Sequence, residues 1–355
     1  MHQPSRQSAA CRISTCAVVL ILAGLASAFA QTRSFIFESA PFPSCHASTI
    51  VQLRKGEFMA AWFGGSAEGK PDVAIWSATT VHGRWTDPVV TVREPDVPAW
   101  NPVLFHAGNG RLWLYYKFGP SYTWWTAGRR YSDDEGVTWS PIEHLPAGLL
   151  GPIRTKPLLE PDGTLLSGTS VESYTSWAAW VERSTDNGLT WSTHGPIEMP
   201  PPAQTATGST APGNAPFGII QPTILWLSAT HLRLYARSSP QIARICISDS
   251  WDNGASWSPA RALDLPNPNS GIDLVKLQDG RIVLIYNDTN KGRSPLNLAV
   301  SRDGEHFREF YELETGPGEF SYPAIIQAAD GDLRLTYTWN RKKIRYVIFP
   351  LARIP

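Results

Sequence analysis

Most residues able to do chemistry in this 355-residue chain occupy one kind of position, the start of an apolar run or the segment just past one. His46, Asn101, Lys156, Gln221, Asp273 and Tyr322 stand at such starts. Glu68 and Asp72, then Trp124 and Trp125, then Glu172 and Tyr174, then Arg237, Arg293 and Arg341 follow the ends of such runs. Arg237 and Arg293 would together make a bidentate clamp for a carboxylate, because each guanidinium presents a planar fork of donors. Tyr322 supplies a phenol that can attack or exchange a proton, and His46 an imidazole that titrates near neutrality. Glu68 lies in Gly64-Gly65-Ser66-Ala67-Glu68-Gly69, with no apolar neighbour to pack on, and is the expected acid. Asp72, just before the apolar stretch 73–76, reads more readily as a structural carboxylate. Polar groups converging in such numbers fit a concave site for a polar ligand, since burial without partners is costly.

The elements that must position these groups are read from two repeats. The first is an apolar run, a short turn and an alternating run, over 46–62, 101–116, 156–169, 221–237, 272–287 and 322–339. Its turns are Lys55-Gly56, Asn109-Gly110, Asp162-Gly163, Ala229-Thr230, Asp279-Gly280 and Asp330-Gly331, and Asn-Gly and Asp-Gly are strong hairpin signals. The turns recur about every 50 residues, with one longer step. The second repeat is S-x-D-x-G-x-[ST]-W, at Ser132–Trp139, Ser184–Trp191 and Ser250–Trp257, with a worn copy at Ser301–Phe307 and a fainter one at Ser77–Trp85. Its Asp can accept turn N–H groups, its Gly can take positive φ, and its Trp can cover the neighbouring sheet.

Together the repeats predict an all-β, six-bladed β-propeller, with the N-terminal strand at 34–38 pairing with 344–351 to close the last blade. Alternating strand direction puts the hairpin turns and the Asp-containing turns on one face. The groups named above fall on the other, over the central channel. The longer step is a Pro/Ala/Thr/Gly-rich insertion at 200–218 on that second face, expected to be a tolerated loop in preference to a lid.

Residues 1–30 read as a signal peptide, with Arg6 and Arg12 ahead of an apolar run over 17–28 and Ala28-Phe29-Ala30 as the cleavage site. The propeller would occupy 31–355, be secreted or periplasmic, lack any membrane insertion after cleavage, and be a monomer. Formal net charge is zero, which leaves no electrostatic case for nucleic acid. Cys45 and Cys246 lie in different repeats and read as two buried thiols. No zinc-binding spacing occurs, and neither metal nor cofactor is expected.

The Asp-containing turns resemble those of the sialidase (neuraminidase) superfamily, in particular its secreted bacterial BNR-repeat members, over about residues 35–347. The resemblance implies a retaining exo-glycosidase acting on sialic acid or a related acidic sugar of a glycan. Leu234-Tyr235-Ala236-Arg237 and Arg293 resemble segments carrying two of the family's three substrate-binding arginines. Ser321-Tyr322-Pro323-Ala324 is similar to the nucleophile segment, and Glu68 falls where the acid/base carboxylate is carried. Two departures stand out. Cys45-His46-Ala47-Ser48-Thr49 replaces the Arg-Ile-Pro motif, leaving His46 or Lys156 to stand in for the first arginine. Gln221-Pro222 replaces the glutamate that activates the tyrosine, with Glu172 on the neighbouring blade as a substitute. Gln221, Arg237 and Arg293 around a carboxylate, with His46 and Tyr322 as base and acid, would also suit a lyase acting on uronic-acid glycans. A non-catalytic glycan-binding propeller, stacking sugars on Trp124 and Trp125, is the third alternative.

Overall fold

Five of the expected turns build the same hairpin. In each, the carbonyl of Leu53, Ala107, Glu160, Leu277 or Ala328 accepts from a glycine N–H three residues on, and the same residue's N–H donates to the carbonyl of the residue after that glycine. The glycines, Gly56, Gly110, Gly163, Gly280 and Gly331, all have φ between 81° and 90°, the left-handed region that closes a three-residue loop at little steric cost. The computed structural model that reveals them describes residues 31–200 and 216–355. The expected leader, with Cys11 and Cys16, and nearly all of the 200–218 insertion lie outside the described residues.

The chain is all-β. β1 (Thr32–Phe35) precedes a meander of β2 (Ser44–Gln52), β3 (Phe58–Gly65) and β4 (Ala74–Val81), edged by β5 (Arg84–Trp85) and β6 (Val89–Val92). Next come β7 (Ala99–His106), β8 (Leu112–Phe118), β9 (Thr126–Ser132) and β10 (Glu143–His144), then β11 (Leu158–Leu159), β12 (Leu165–Glu172), β13 (Ser176–Ser184) and β14 (Ser192–Ile197). They are followed by β15 (Phe217–Ser228), β16 (His231–Ser238), β17 (Arg244–Ser250) and β18 (Arg261–Pro266), and by β19 (Asp273–Lys276), β20 (Ile282–Tyr286), β21 (Leu296–Ser301) and β22 (Arg308–Glu314). The last are β23 (Phe320–Gln327), β24 (Leu333–Trp339) and β25 (Lys343–Phe349). Pairing within each meander is antiparallel, and a short parallel contact of β13 with β15 joins two of them. β1 pairs antiparallel with β25, Thr32 opposite Ile348, so the two chain ends pair as expected, with the N-terminal strand at 32–35 in place of 34–38. The innermost strands lie side by side, β2 against both β7 and β23, β15 against β19, and β19 against β23.

The cores lie between successive meanders and are filled by large side chains, with Trp62, Trp113, Tyr115, Tyr235, Tyr286 and Tyr337 fully buried. The Asp-containing turns lock onto these cores. Ser132 Oγ donates to Asp134 at 2.7 Å and accepts from Gly136 N at 2.7 Å, while Thr138 N donates to Asp134 at 2.8 Å. Ser184-Asp186-Thr190 and Ser250-Asp252-Ser256 repeat the pattern. Carbonyls of these turns accept from tyrosines of the preceding meander, Gly188 from Tyr115 and Gly304 from Tyr235, both at 2.7 Å. The stretch 77–85 makes no such turn. Ser77 pairs with Thr91 instead, and the chain reverses at His82-Gly83.

One irregularity matters for the site. β2, β7, β15 and β23 each carry a bulge, breaking register between His46 and Thr49, Trp100 and Val103, Ile220 and Thr223, and Ser321 and Ala324. The bulged residues Ala47, Asn101, Gln221 and Tyr322 have φ of 55°, 41°, 54° and 50°. A non-glycine residue in that region is strained, and bulges are a standard means of re-aiming one side chain.

Candidate active site

Re-aimed in this way, Tyr322 and Gln221 meet. The Tyr322 hydroxyl accepts from Arg237 Nη1 at 2.6 Å and from Gln221 Nε2 at 3.5 Å. Arg237 Nη1 also donates to Gln221 Oε1 at 3.1 Å, and its Nε and Nη2 donate to Asn269 Oδ1 at 3.0 and 2.5 Å. A phenol oxygen that accepts two hydrogen bonds, one of them from a guanidinium, has its ionised form favoured by these donors.

Three guanidinium groups surround the Tyr322 ring, those of Arg154 and Arg293 at 5.3 Å and Arg237 at 5.6 Å from its centroid. The His46 ring lies 4.2 Å from it, with Nδ1 3.0 Å from Thr338 Oγ1. Glu319 holds the outer cations, accepting from Arg293 at 2.8 Å and from Arg341 at 2.9 Å. Arg341 also pairs with Glu68. Burial by itself would raise the Tyr322 phenol, but the charges of Arg237 and Arg293 bring it below its ordinary value. Burial, with the charges of Arg341, Arg293, Arg154 and Arg237, holds His46 well below the usual imidazole range, so it is neutral. Burial pushes the Glu172 carboxyl up to about 7, an effect Arg237 partly offsets.

A cavity of about 200 Å³ opens on this constellation, walled by Glu68, Asn101, Trp125, Glu172, Asn269 and Tyr322, among others. It therefore unites seven candidates from five meanders, Glu68, Asn101, Trp125, Glu172, Gln221, Arg237 and Tyr322, with His46 and Arg293 against the tyrosine ring. Other candidates are turned elsewhere. Lys156 Nζ is bound to both oxygens of Asp273, at 3.0 and 2.9 Å, and to the Leu274 carbonyl. Asp72 accepts the N–H and hydroxyl of Ser66, both at 2.8 Å, and so shapes the loop that carries Glu68. Trp124 is 68% exposed and donates to the Tyr174 hydroxyl, an aromatic pair linking two loops. Cys45 and Cys246 are buried free thiols.

Three participants are not foreseen from sequence. Arg154 is buried, donates from Nη2 to the carbonyls of Ile272 and Pro323, and leaves Nε and Nη1 without partners. The chain at 151–157 forms no regular strand, so Arg154, and not the Lys156 that precedes a proline, faces the tyrosine. Asn269 comes from the link between β18 and β19, in the run Pro266-Asn267-Pro268-Asn269, whose turn-forming composition is its only signal. Glu319 sits three residues before Tyr322 and binds the Ser321 hydroxyl as well as the two arginines.

The sequence matches the BNR repeat-like domain family over residues 56–335. No curated protein matches it. Among solved structures the chain is similar to a protein of unknown function from Dyadobacter fermentans, at 15% identity over 89% of this chain and 97% of that one, with a TM-score of 0.72. It is similar to the NanB sialidase of Streptococcus pneumoniae at 13% identity, covering 91% of this chain and 71% of that one, with a TM-score of 0.70. For the intramolecular trans-sialidase of Ruminococcus gnavus the values are 15%, 90% and 98%, with a TM-score of 0.70. At these identities the likeness is one of fold.

Proposed function

The chain belongs to the BNR repeat-like domain family, and from that premise we propose that it is a glycosidase releasing sialic acid or a related acidic sugar from glycans with retention. The observation that carries the reading is the Tyr322 hydroxyl, which accepts from Arg237 and Gln221 inside a ring of guanidinium groups. Tyr322 Oη attacks the anomeric carbon, the glycosidic bond breaks, and the leaving oxygen takes a proton. Water then displaces the tyrosine, returning a proton to the same acid/base group. Of the two carboxyl groups lining the cavity, Glu172 holds its proton near neutrality, whereas Glu68 sits on Arg341. The acid/base role goes to Glu172. Arg237, Arg293 and Arg341 receive the sugar carboxylate, and Trp125 and Tyr122 border its approach.

The meanders are, on this reading, the blades of a six-bladed propeller formed by residues 31–355, and residues 1–30 export it to the periplasm or beyond. The contact of β2 with β23 and the pairing of β1 with β25 support such a ring. Gln221 favours a second reading, a lyase in which the Tyr322 phenolate removes the proton beside a uronate carboxylate, a double bond forms and the β-linked glycosidic oxygen leaves, taking a proton from Glu172, because elimination needs no glutamate next to the tyrosine. A panel of sialosides, other acidic glycosides and uronate polymers, with products identified by mass spectrometry, tests both. Hydrolysis abolished by Tyr322→Phe supports the glycosidase, unsaturated ends the lyase, and inertness across the panel refutes both.

A further inference from the structure

The cavity holding Tyr322 is not the one best suited to an apolar ligand face. On the opposite side, a concavity of about 750 Å³ lies among the Glu160–Gly163 turn, the Ser228–Thr230 turn and the Asp-containing turn at 250–257. His231 and Arg237 begin and nearly end β16. At about 3.3 Å per residue they lie about 20 Å apart, which separates this concavity from the tyrosine site.

Its wall carries two indoles, Trp226 and Trp251. Trp251 occupies the second position of its Asp-containing turn, where the other copies carry Asp133, Thr185 and Arg302. Turn chemistry does not ask for an aromatic residue there. It is 64% exposed, yet it is held rigidly, stacked on His231 at 5.1 Å with the planes 13° apart. His231 Nε2 is fixed 2.7 Å from Asp249 Oδ1, and Arg233 grips Asp249 with Nε at 2.6 Å and Nη2 at 3.1 Å. An exposed flat ring braced through three side chains is a preorganised platform.

The polar complement is Glu160, 4% exposed, whose Oε2 accepts from Asn253 while Oε1 is buried with no partner. A buried acceptor left unsatisfied is costly. Rotation about the terminal bond of a glutamate is soft, so Oε1 can turn to a donor arriving in the cavity. The Trp226 indole N–H is likewise buried without a partner. Asp162 and Asp252 also line the wall, and Lys276 has its ammonium committed to the carbonyls of Trp226 and Leu227. The wall is thus acidic on balance and offers an unsatisfied acceptor to an incoming hydroxyl.

We propose that this concavity is a second carbohydrate site, binding a neutral pyranose whose apolar face lies on Trp251 while a hydroxyl donates to Glu160. An acidic sugar is disfavoured by the surrounding carboxylates. The site would hold the protein on a polysaccharide independently of whatever Tyr322 does, so the two claims stand or fall apart.

The test uses the full chain, with saturation-transfer NMR against methyl glycosides of glucose, galactose and mannose, and native gel retardation in dextran and galactomannan. Wild-type protein gives transfer to pyranose ring protons or retardation in at least one of these sugars. Trp251→Ala weakens it about tenfold or more, as loss of an aromatic platform should. Glu160→Gln weakens it less, Tyr322→Phe leaves it intact, and melting temperatures verify that each variant is folded. Absence of binding to every sugar, or binding unchanged in Trp251→Ala, overturns the proposal. So does a Trp251-dependent self-association without sugar binding, which would make the platform a contact between copies of the chain.

Discussion

Replacing Arg237 with methionine keeps an unbranched stem and removes the guanidinium with its charge and donors. The change deletes the 2.6 Å donation to the Tyr322 hydroxyl, the 3.1 Å donation to Gln221 and both bonds to Asn269. A hydrogen bond to a charged group is worth about 1.5–3 kcal/mol, and a unit pair 4 Å apart about 4 kcal/mol at an effective dielectric of 20. These figures describe one interaction and do not add. Arg293 and Arg154 still face the ring at 5.3 Å, so the loss falls toward the lower end, about 2 kcal/mol. That is about a thirtyfold smaller phenolate population near neutrality, and kcat/KM falls by at least that factor, since Arg237 also receives the sugar carboxylate, with its acidic limb displaced to higher pH. Phenolate absorbance, as the difference between each protein and its Tyr322→Phe counterpart, follows the ionisation directly. Folding survives, because the freed oxygens of Gln221 and Asn269 border a cavity that water can enter. If Arg237→Met lowers the melting temperature while leaving the tyrosine titration where it was, the reasoning fails.

Gln221→Glu sets a carboxylate against both Arg237 and Tyr322, so the phenol moves up and kcat/KM drops about tenfold. A gain in hydrolysis would show instead that a glutamate is the missing activator. Glu172, with its carboxyl raised from 4.5 to about 7, keeps a proton in the folded chain that the unfolded chain has already lost. Stability therefore falls as pH rises from 4.5 through about 7, by up to about 3 kcal/mol, and denaturant titrations of Glu172→Gln should lack that slope. Gly271→Ala places a Cβ 2.8 Å from Arg154 Nε, and the crowding should lower both melting temperature and kcat, whereas Gly280→Ala, with open space but φ of 89°, should lower melting temperature alone.

What the sequence discloses and what it hides divide along the range of the interactions. The Asx-Gly turns and the Ser-Asp-Gly turns are decided within five residues, and the chain forms them where their residues predict, except at 77–85, where the required Asp is absent. Gln221 and Tyr322 were legible because each opens an apolar run of the repeat, although the strands that carry them begin earlier, at Phe217 and Phe320. The bulge that turns them toward each other lies in the φ of single residues, which alternation of apolar positions does not encode. Arg154 and Asn269 escaped because neither stands at a strand start, and their partners are reached only across the inner strands. The pairing of Lys156 with Asp273 escaped for the same reason, since its two halves are 117 positions apart. Arg293 and Arg341 were legible as cations, but not as two ends of one bridge through Glu319.

The central claim is that the Tyr322 oxygen forms a bond to the anomeric carbon of an acidic sugar. A fluorinated acidic-sugar substrate that slows the second step, followed by proteolysis and peptide mass spectrometry, tests it most directly. The account predicts a glycosyl adduct on the peptide containing Tyr322, absent in Tyr322→Phe and formed more slowly in Arg237→Met. An adduct on any other residue, or turnover to an unsaturated product with no adduct, would contradict it.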